Sequence, residues 1–317
     1  MKRGLRKAIE LYFKIHYSWP IWFYIINRKP RKLFKNNRPK PDAVQSRLVY
    51  DLNEKGIAVS SLQELFPDRP HLLSELQQYV SEKAKERKDV PHLKPFLKYL
   101  WDEIPVVSLS DPFHRLIIDE RIINVVNSYI GMFTNFYHTM LNITIPAGAD
   151  SKAVFSQRWH RDLEDKKLCK IFLYLNDVDE EAGPFTYIAY SKYGTKWGNM
   201  FPQHPPKGSY PPRGELEKTI PAEDIVKMTG HAGTLIFCDT SGLHRGGYAF
   251  SKERIMLTAG YRTRASATEN QIIKDRIVLN NGSPGVRYAV ESQVPIAVSR
   301  VMFGAYRKLS SKKVAME

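Results

Sequence analysis

Two histidines and an aspartate are the residues of this chain whose types and spacing are best suited to chemistry. His160 and Asp162 stand two residues apart in the stretch FSQRWHRDLEDKKL, and the pattern of residues 154–162 predicts a strand. Alternate side chains of a strand share a face, so the imidazole and the carboxylate would point the same way. A second imidazole would complete the two-His-one-carboxylate triad that holds non-haem Fe(II) and leaves coordination positions open.

The same stretch also spells the opening of a protein-kinase catalytic loop, His160-Arg161-Asp162-Leu163. That loop requires an Asn five residues after the Asp, and a later Asp-Phe-Gly. Lys167 stands at the fifth position here, and the sequence contains no Asp-Phe-Gly. The kinase interpretation is therefore excluded.

A candidate for the second imidazole follows a later apolar strand. Residues 235–238 run into a Gly-flanked turn that carries His244, and ten residues later Arg254 begins the next strand pattern. His160, Asp162 and His244 are thus the predicted metal ligands and catalytic residues. Such a triad leaves Fe(II) three open positions. A 2-oxo acid can fill two of them through its keto oxygen and carboxylate, which leaves one for O2.

The far carboxylate of 2-oxoglutarate would need a buried cation, and Arg pairs bidentately with carboxylates. The strand that begins at Arg254 would lie beside the one leading to His244, so Arg254 is the predicted anchor, and Ser251 could add a hydroxyl donor. Taken singly, His244 could equally be an ordinary turn histidine and Arg254 a rim cation. Their joint occurrence in this order favours the site.

The elements that must position these residues are helical in the front third and β in the rest. Asp111-Pro112 predicts a helix start, and Gly131 its end. Strand patterns without long helices between them predict an antiparallel sandwich or barrel. They cover residues 135–146, 154–162, 168–177, 185–190, 233–238 and 254–263.

A long segment rich in Pro and Gly, residues 191–219, interrupts the β pattern. Loops of this length are usually lids, binding loops or disordered segments. The segment is a candidate for substrate specificity, and an ordinary surface insertion is the equal alternative. Its side chains suited to binding are Lys196, Trp197, His204, Tyr210 and Arg213.

These motifs resemble the phytanoyl-CoA dioxygenase family of Fe(II)/2-oxoglutarate oxygenases. The resemblance rests on WHRD at 159–162, IFLYLNDVDEEAGPFTYIAYS at 171–191, then AGTLIF, HRGG and Arg254, and it covers roughly residues 130–265. It implies a mainly β fold, a double-stranded β-helix (jelly-roll, cupin-like) core with N-terminal helices packed on one sheet.

The same resemblance implies a dioxygenase that uses Fe(II), 2-oxoglutarate and O2. It would hydroxylate a small-molecule or lipid/sugar-type substrate and release succinate and CO2. Related iron halogenases have a small residue in place of the triad carboxylate, so the presence of Asp162 favours hydroxylation. The alternative from another class is a catalytically silent β-helix scaffold that acts as a membrane-associated binding module; the intact triad counts against it.

The formal net charge of +15 is confined to the two ends of the chain. Residues 1–40 contain twelve Lys or Arg and one acidic residue, and residues 300–317 contain five and one. The central part is therefore neutral, and nucleic acid is not favoured as a partner. The predicted organisation is a basic, aromatic-rich tail and linker over 1–47, one oxygenase domain over 48–299 and a basic tail over 300–317. The domain divides into a helical front part 48–131, a β-helix core 132–265 and a C-terminal segment 266–299.

The N-terminal stretch is tested as a membrane segment because its centre is apolar. The uncharged residues 15–26 are well short of the roughly 20 residues that span a bilayer, and no small-residue cleavage site follows. Aromatic residues flanked by Lys and Arg over residues 1–40 resemble an interfacial anchor for anionic membrane. The alternative is that these aromatic side chains cover the core of the main domain while the charges stay solvated. Cys169 and Cys238 lie in apolar runs, which predicts buried free thiols and a cytoplasmic protein, peripheral at the membrane if the anchor holds.

Overall fold

The computed structural model describes residues 2–86, 96–147, 153–201, 210–274, 277 and 282–314. Two antiparallel sheets form its centre, as the sequence predicted: a six-stranded sheet in the order β1-β7-β4-β9-β3-β2 and a three-stranded sheet in the order β6-β5-β8. The strands are β1 Ile57–Ser61, β2 Leu97–Tyr99, β3 Asn135–Thr144, β4 Cys169–Tyr174, β5 Thr186–Ile188, β6 Ile225–Lys227, β7 Thr234–Cys238, β8 His244–Arg245 and β9 Arg254–Arg262.

The two faces of the six-stranded sheet carry different side chains, because alternate residues of a strand point to opposite sides. One face packs on the helices through residues such as Ile171, Leu257 and Tyr261. The inner face packs towards the smaller sheet, where the ring of Phe172 stacks on Phe185 at 4.3 Å between centroids. Strand register places several polar or charged residues on the inner face, among them Asn142, Thr144, Lys170, Arg254 and Thr258.

Helices cover the other face of the six-stranded sheet. Asp111 caps a helix that has Pro112 at its first position, as predicted, but this helix ends at Ile117. Asp119 caps a second helix, which ends at Gly131 with a φ of 82°, so one predicted helix is two. The helices are α1 Lys2–His16, α2 Arg28–Asn36, α3 Ala43–Lys55, α4 Leu62–Leu65, α5 Leu72–Glu86, α6 Pro112–Ile117, α7 Glu120–Ile130, α8 Glu215–Thr219, α9 Pro284–Val290 and α10 Ala297–Val314, with a π-helix over Pro20–Ile26.

The predicted strand over residues 154–162 is wrong. The backbone forms one 3-10 turn over Phe155–Gln157, because Phe155 adopts a φ of 46° that extended backbone does not allow. Only one pair of residues in this stretch then bridges to another strand: His160 N donates to His244 O at 2.9 Å, and His244 N donates to His160 O at 3.0 Å.

The N-terminal residues are folded onto the rest of the protein. Ile9, Phe13, Tyr17 and Trp22 are buried in the main hydrophobic core, so for these side chains the core-covering interpretation is confirmed. Residues 28–47, predicted as a linker, instead contain α2 and the start of α3, because the side chains of Asp42 and Gln45 form a capping box. None of the helices in the described part of the chain is long and apolar enough to cross a membrane. Both cysteines are buried free thiols.

Trp22 connects these N-terminal helices to the segment that follows Asp162. Its Nε1 donates to Asp165 Oδ1 at 2.8 Å, while Asp165 Oδ2 accepts from the backbone and hydroxyl of Thr263. We expect Trp22→Phe to lower the free energy of unfolding by about 1.5–3 kcal/mol, because a buried carboxylate loses a donor.

Urea unfolding followed by circular dichroism measures this effect. Trp19→Phe is the matched control: Trp19 is exposed, so its replacement should change the free energy of unfolding by less than about 0.5 kcal/mol. Equal unfolding midpoints for the two variants would contradict the role of the Trp22–Asp165 hydrogen bond.

Candidate metal centre

The three predicted metal ligands come together in the structure. Ligand atoms of His160, Asp162 and His244 all lie within 4.8 Å of one another, and this is the single group of its kind in the described ranges. His160 Nε2 is 3.9 Å from Asp162 Oδ1, and His244 Nε2 is 3.6 Å from Asp162 Oδ2. The bridge between His160 and His244 makes them cross-strand neighbours, and Asp162 N donates to Thr240 O at 2.9 Å. Backbone pairing therefore sets the positions of all three.

Hydrogen bonds at Nδ1 orient both imidazoles beside Asp162. His160 Nδ1 lies 2.8 Å from Arg158 O, and His244 Nδ1 lies 3.0 Å from Gly242 O. A carbonyl oxygen only accepts, so each Nδ1 carries a hydrogen and each Nε2 lies on the side of Asp162.

The charge states also suit a metal. Burial, together with nearby His160, lowers the pKa of His244 to about 3, so this imidazole is neutral near pH 7. Burial alone would raise the pKa of Asp162, but Lys170, His244 and His160 outweigh it and hold the pKa well below its usual range. Two neutral imidazoles and one carboxylate are the donor set of a non-haem Fe(II) site.

Arg254 is a buried cation whose hydrogen-bonding capacity is mostly unused. Its side chain lies on the inner face, with the residue only 3% exposed, and Nη2 donates to Thr144 Oγ1 at 3.3 Å. Its Nε and Nη1 have no hydrogen-bond partner in the part of the chain that the structure describes. A Cβ added at Gly246, two residues after His244, would lie 3.9 Å from Arg254 Nη2. An unpaired buried cation is costly, so the arrangement suits the carboxylate of a bound ligand.

Ser251, the predicted hydroxyl donor, is not brought to this guanidinium. Its side chain is exposed, and its Oγ donates to Glu181 Oε2 at 2.9 Å on the surface. Thr144 lies directly across from Arg254 in the β3–β9 register and supplies the neighbouring hydroxyl instead.

Two further polar residues of the inner face were missed by sequence reasoning. Both side-chain atoms of the Asn142 amide and Thr258 Oγ1 are buried without a hydrogen-bond partner among the described residues. They share the inner face with Arg254 and can therefore meet the oxygens of a bound molecule. The signal in the sequence was polar residues at alternate positions of otherwise apolar strands.

Lys170 is the least expected group beside the triad. It interrupts the apolar strand β4, and its Nζ lies 2.7 Å from Asp162 Oδ2 and 3.3 Å from Glu164 Oε1. Tyr137 Oη donates to the same Glu164 oxygen at 3.2 Å. Burial would lower the pKa of Lys170, but Asp162 and Glu164 raise it well above its usual range, so it is protonated. A fixed positive charge therefore contacts a metal ligand.

We expect Lys170→Met to tighten the binding of a divalent metal by about tenfold, because removal of a positive charge in contact with Asp162 makes the site more negative. The metal-free variant should be less stable than wild type, since Asp162 and Glu164 then lie close together without a counter-charge. Calorimetric titration with Co(II) measures the affinity, and Lys170→Arg, which keeps the charge, is the control. Weaker Co(II) binding by the Met variant would contradict the electrostatic account.

The residue between the two ligands, Arg161, holds the Pro/Gly-rich segment against the site. Its buried guanidinium donates only to backbone carbonyls, and burial lowers the pKa of Arg161 to about 10, so it remains charged at neutral pH. Four hydrogen bonds reach into residues 191–201, and one reaches Ser241 beside Thr240. The acceptors are the carbonyl oxygens of Ser191, Trp197, Met200, Phe201 and Ser241.

Of the four candidate specificity residues that the structure describes in this segment, Tyr210 contacts a predicted metal ligand. The ring of Tyr210 stacks on His160 at 5.7 Å between centroids. Lys196 and Trp197 both donate to Asp224, and Arg213 donates to Ala153 O. The fifth, His204, lies outside the described residues.

Glu217, in the second part of the segment, binds a residue next to each of the two histidines of the triad. Trp159 Nε1 donates to Glu217 Oε1 at 2.7 Å, and Arg245 Nη1 lies 3.3 Å from the same oxygen. The Arg245 guanidinium also lies over the Trp159 ring, 4.4 Å from its centroid. Each of these two residues is adjacent in sequence to a histidine ligand, so the segment borders the site from two sides.

Comparison with known proteins identifies the class of fold. No protein-family model and no curated protein matches this chain. The solved structure of EctD from S. alaskensis with 2-oxoglutarate and 5-hydroxyectoine is similar, with a TM-score of 0.53 and 16% identity, over 81% of this chain and 91% of that one. The epimerase SnoN in complex with Fe3+, alpha ketoglutarate and nogalamycin RO is similar with a TM-score of 0.50 and 16% identity, over 80% and 96%. The chain therefore shares the fold of these two proteins.

Proposed function

We propose that this protein is a non-haem Fe(II)- and 2-oxoglutarate-dependent dioxygenase of the hydroxylase type, with a double-stranded β-helix core as in the phytanoyl-CoA dioxygenase family. The observation that carries the proposal is the pairing of the His160, Asp162 and His244 cluster with a buried, mostly unpaired Arg254. Two similar structures contain 2-oxoglutarate or alpha ketoglutarate, and one of them contains iron.

In this proposal each residue has a separate task. His160, Asp162 and His244 would hold the iron, and Arg254 with Thr144 would bind the far carboxylate of 2-oxoglutarate. Apolar side chains of the inner face, such as Phe172, would exclude water from the reacting atoms. When bound, iron, 2-oxoglutarate and O2 supply chemistry in which loss of CO2 and formation of succinate accompany oxidation of the substrate.

The type of reaction rests on Asp162. A carboxylate at this position fills the site that a halide takes in related halogenases, so hydroxylation is the outcome that the ligand set supports. The fold alone does not select the reaction, since one similar protein is an epimerase. The substrate would be a small molecule or of lipid/sugar type, and Tyr210 beside His160 would border its binding site.

The test is binding and slow turnover of 2-oxoglutarate without added substrate. The protein is purified anaerobically and loaded with Fe(II); 2-oxoglutarate binding is followed by calorimetry, and succinate is measured after O2 is admitted. Wild type should bind 2-oxoglutarate and release succinate slowly. A double variant, His244→Ala with Arg254→Ala, should do neither. If wild type bound 2-oxoglutarate no more strongly than the double variant does, the proposed function would be refuted and the silent-scaffold alternative would be favoured.

A further inference from the structure

The outward side of α1 carries an apolar strip that has no cover in the described structure. The inward side buries Ile9 and Phe13, whereas Leu11 is 58% exposed, Ile15 is 52% exposed and Trp19, just beyond the helix, is 43% exposed. Residues four positions apart lie on the same helix face, so Leu11 and Ile15 form a continuous strip that leads to Trp19. Exposed apolar groups clustered in this way mark an interaction surface.

Aromatic groups extend the strip along the π-helix. The Trp19 ring stacks on Phe23 at 4.8 Å with an interplanar angle of 11°. The Arg31 guanidinium lies over both Phe23 and Tyr24, 4.7 and 4.8 Å from the ring centroids. Tyr24 and Ile25 are exposed. Trp and Tyr beside cations are the residues that settle at the boundary between lipid and water.

Exposed cations surround this strip. Nearly every exposed charge in residues 4–40 is positive, and the single acidic residue of that stretch, Glu10, lies 3.8 Å from Arg6. The exposed basic residues are Arg6, Lys7, Lys14, Arg28, Lys29, Lys32, Lys35, Arg38 and Lys40. Such a set attracts an anionic surface.

The C-terminal helix α10 packs beside this basic surface. α10 packs on α1, where Tyr12 Oη lies 2.6 Å from Ser299 Oγ and the rings of Phe13 and Phe303 are 6.4 Å apart. α10 also exposes Val301. The contact between α1 and α10 places α10, with its exposed Val301, beside the basic N-terminal helices.

We propose that this surface, formed by α1, the π-helix, α2 and α10, docks on an anionic lipid bilayer. Leu11, Ile15, Trp19, Tyr24 and Ile25 would enter the headgroup region, while the surrounding Lys and Arg side chains pair with anionic headgroups. Exposed aliphatic side chains favour lipid over nucleic acid, whose binding relies on phosphate contacts. The proposal does not depend on the proposed function, because no group of the metal centre takes part in it.

Point variants of the full chain test the proposal better than removal of the N-terminal helices, since Trp22 and Tyr17 hydrogen-bond to the segment after Asp162. The double variant Leu11→Glu with Ile15→Glu alters exposed positions only. We expect wild type to sediment with vesicles of phosphatidylcholine that contain phosphatidylglycerol, but not with phosphatidylcholine alone, and to release as salt is raised. The double variant should bind the anionic vesicles at least about tenfold more weakly.

Tyr50→Glu, at an exposed position of α3, is the matched control and should bind like wild type. Thermal unfolding and Co(II) binding of the double variant should be unchanged, which separates a docking defect from a folding defect. Failure of wild type to bind anionic vesicles, or equal binding by the double variant and the control, would overturn the proposal. The proposal would also be overturned if the double variant lost nucleic-acid binding or self-association and kept vesicle binding.

Discussion

Replacement of Arg254 by Met should abolish saturable binding of 2-oxoglutarate while leaving the ligand-free protein at least as stable as wild type. Arg254 is buried, and its Nε and Nη1 have no partner in the described ranges. Without ligand, the unpaired buried cation lowers the free energy of unfolding. An apolar side chain of similar length removes this desolvation penalty. With ligand, loss of a buried charge pair costs about 2–5 kcal/mol, which weakens binding by roughly 30-fold to several thousand-fold.

Arg262, at the other end of β9, is the matched control for this result. It is also buried, but its guanidinium donates to Thr268, to Glu269 O and to Asn270 Oδ1. Arg262→Met should therefore destabilise the protein, and Arg254→Met should not. Calorimetric titration of 2-oxoglutarate into the anaerobic Fe(II)-loaded protein and thermal unfolding with and without 2-oxoglutarate measure both effects. A loss of ligand-free stability in Arg254→Met equal to that in Arg262→Met would assign Arg254 a structural role.

Replacement of Arg161 by Met should destabilise the protein by about 3–5 kcal/mol, because a buried guanidinium that donates to five carbonyls is lost and Met provides no donor in its place. Four of those carbonyls belong to residues 191–201, so the segment should also detach from the site. We expect faster proteolytic cleavage within residues 191–219 and weaker Co(II) binding, since Arg161 stands between two metal ligands.

Arg158, on the other side of His160, provides the comparison for Arg161. Its guanidinium lies 5.3 Å from the centroid of the Tyr210 ring, a contact worth about 0.5–1 kcal/mol. Arg158→Met should therefore unfold close to the wild-type urea midpoint and keep the segment protected. Similar midpoints and similar cleavage rates for Arg158→Met and Arg161→Met would remove the special role of Arg161.

The clustering of His160, Asp162 and His244 could be predicted from residue type and order along the chain. The geometric reason given for Arg254 was wrong, because β9 pairs with β4 and β3 and not with β7, the strand that leads to His244. Most strands were also predictable, since polar and apolar residues alternate or form apolar runs there. The strand over 154–162 was not, because Phe155 has a positive φ and the stretch pairs through one bridge to His244 and isolated backbone hydrogen bonds, not a continuous ladder.

The remaining groups of the site depend on what lies opposite them in space. Ser251 was predicted beside Arg254 because it is near in sequence, whereas Thr144 is near through strand register. From the sequence, Lys170 is only a charged residue in an apolar strand. Its role follows from the fold, which places Asp162 and Glu164 beside it. From the sequence, Arg161 resembles an ordinary surface charge. In the structure it is buried by residues 191–201, whose carbonyls accept its hydrogen bonds.

The packing of the N-terminal helices on the metal-ligand segment has a consequence for the order of folding. The hydrogen bond from Trp22 to Asp165 spans 143 residues of sequence, and that between Tyr12 and Ser299 spans 287. Contacts between such distant residues form late, because the loop they close must be ordered first. During synthesis α1 and the π-helix therefore emerge well before Asp165 and Ser299, the residues that they contact. The segment after Asp162 reaches its final form only after Thr263, the second partner of Asp165, has been made.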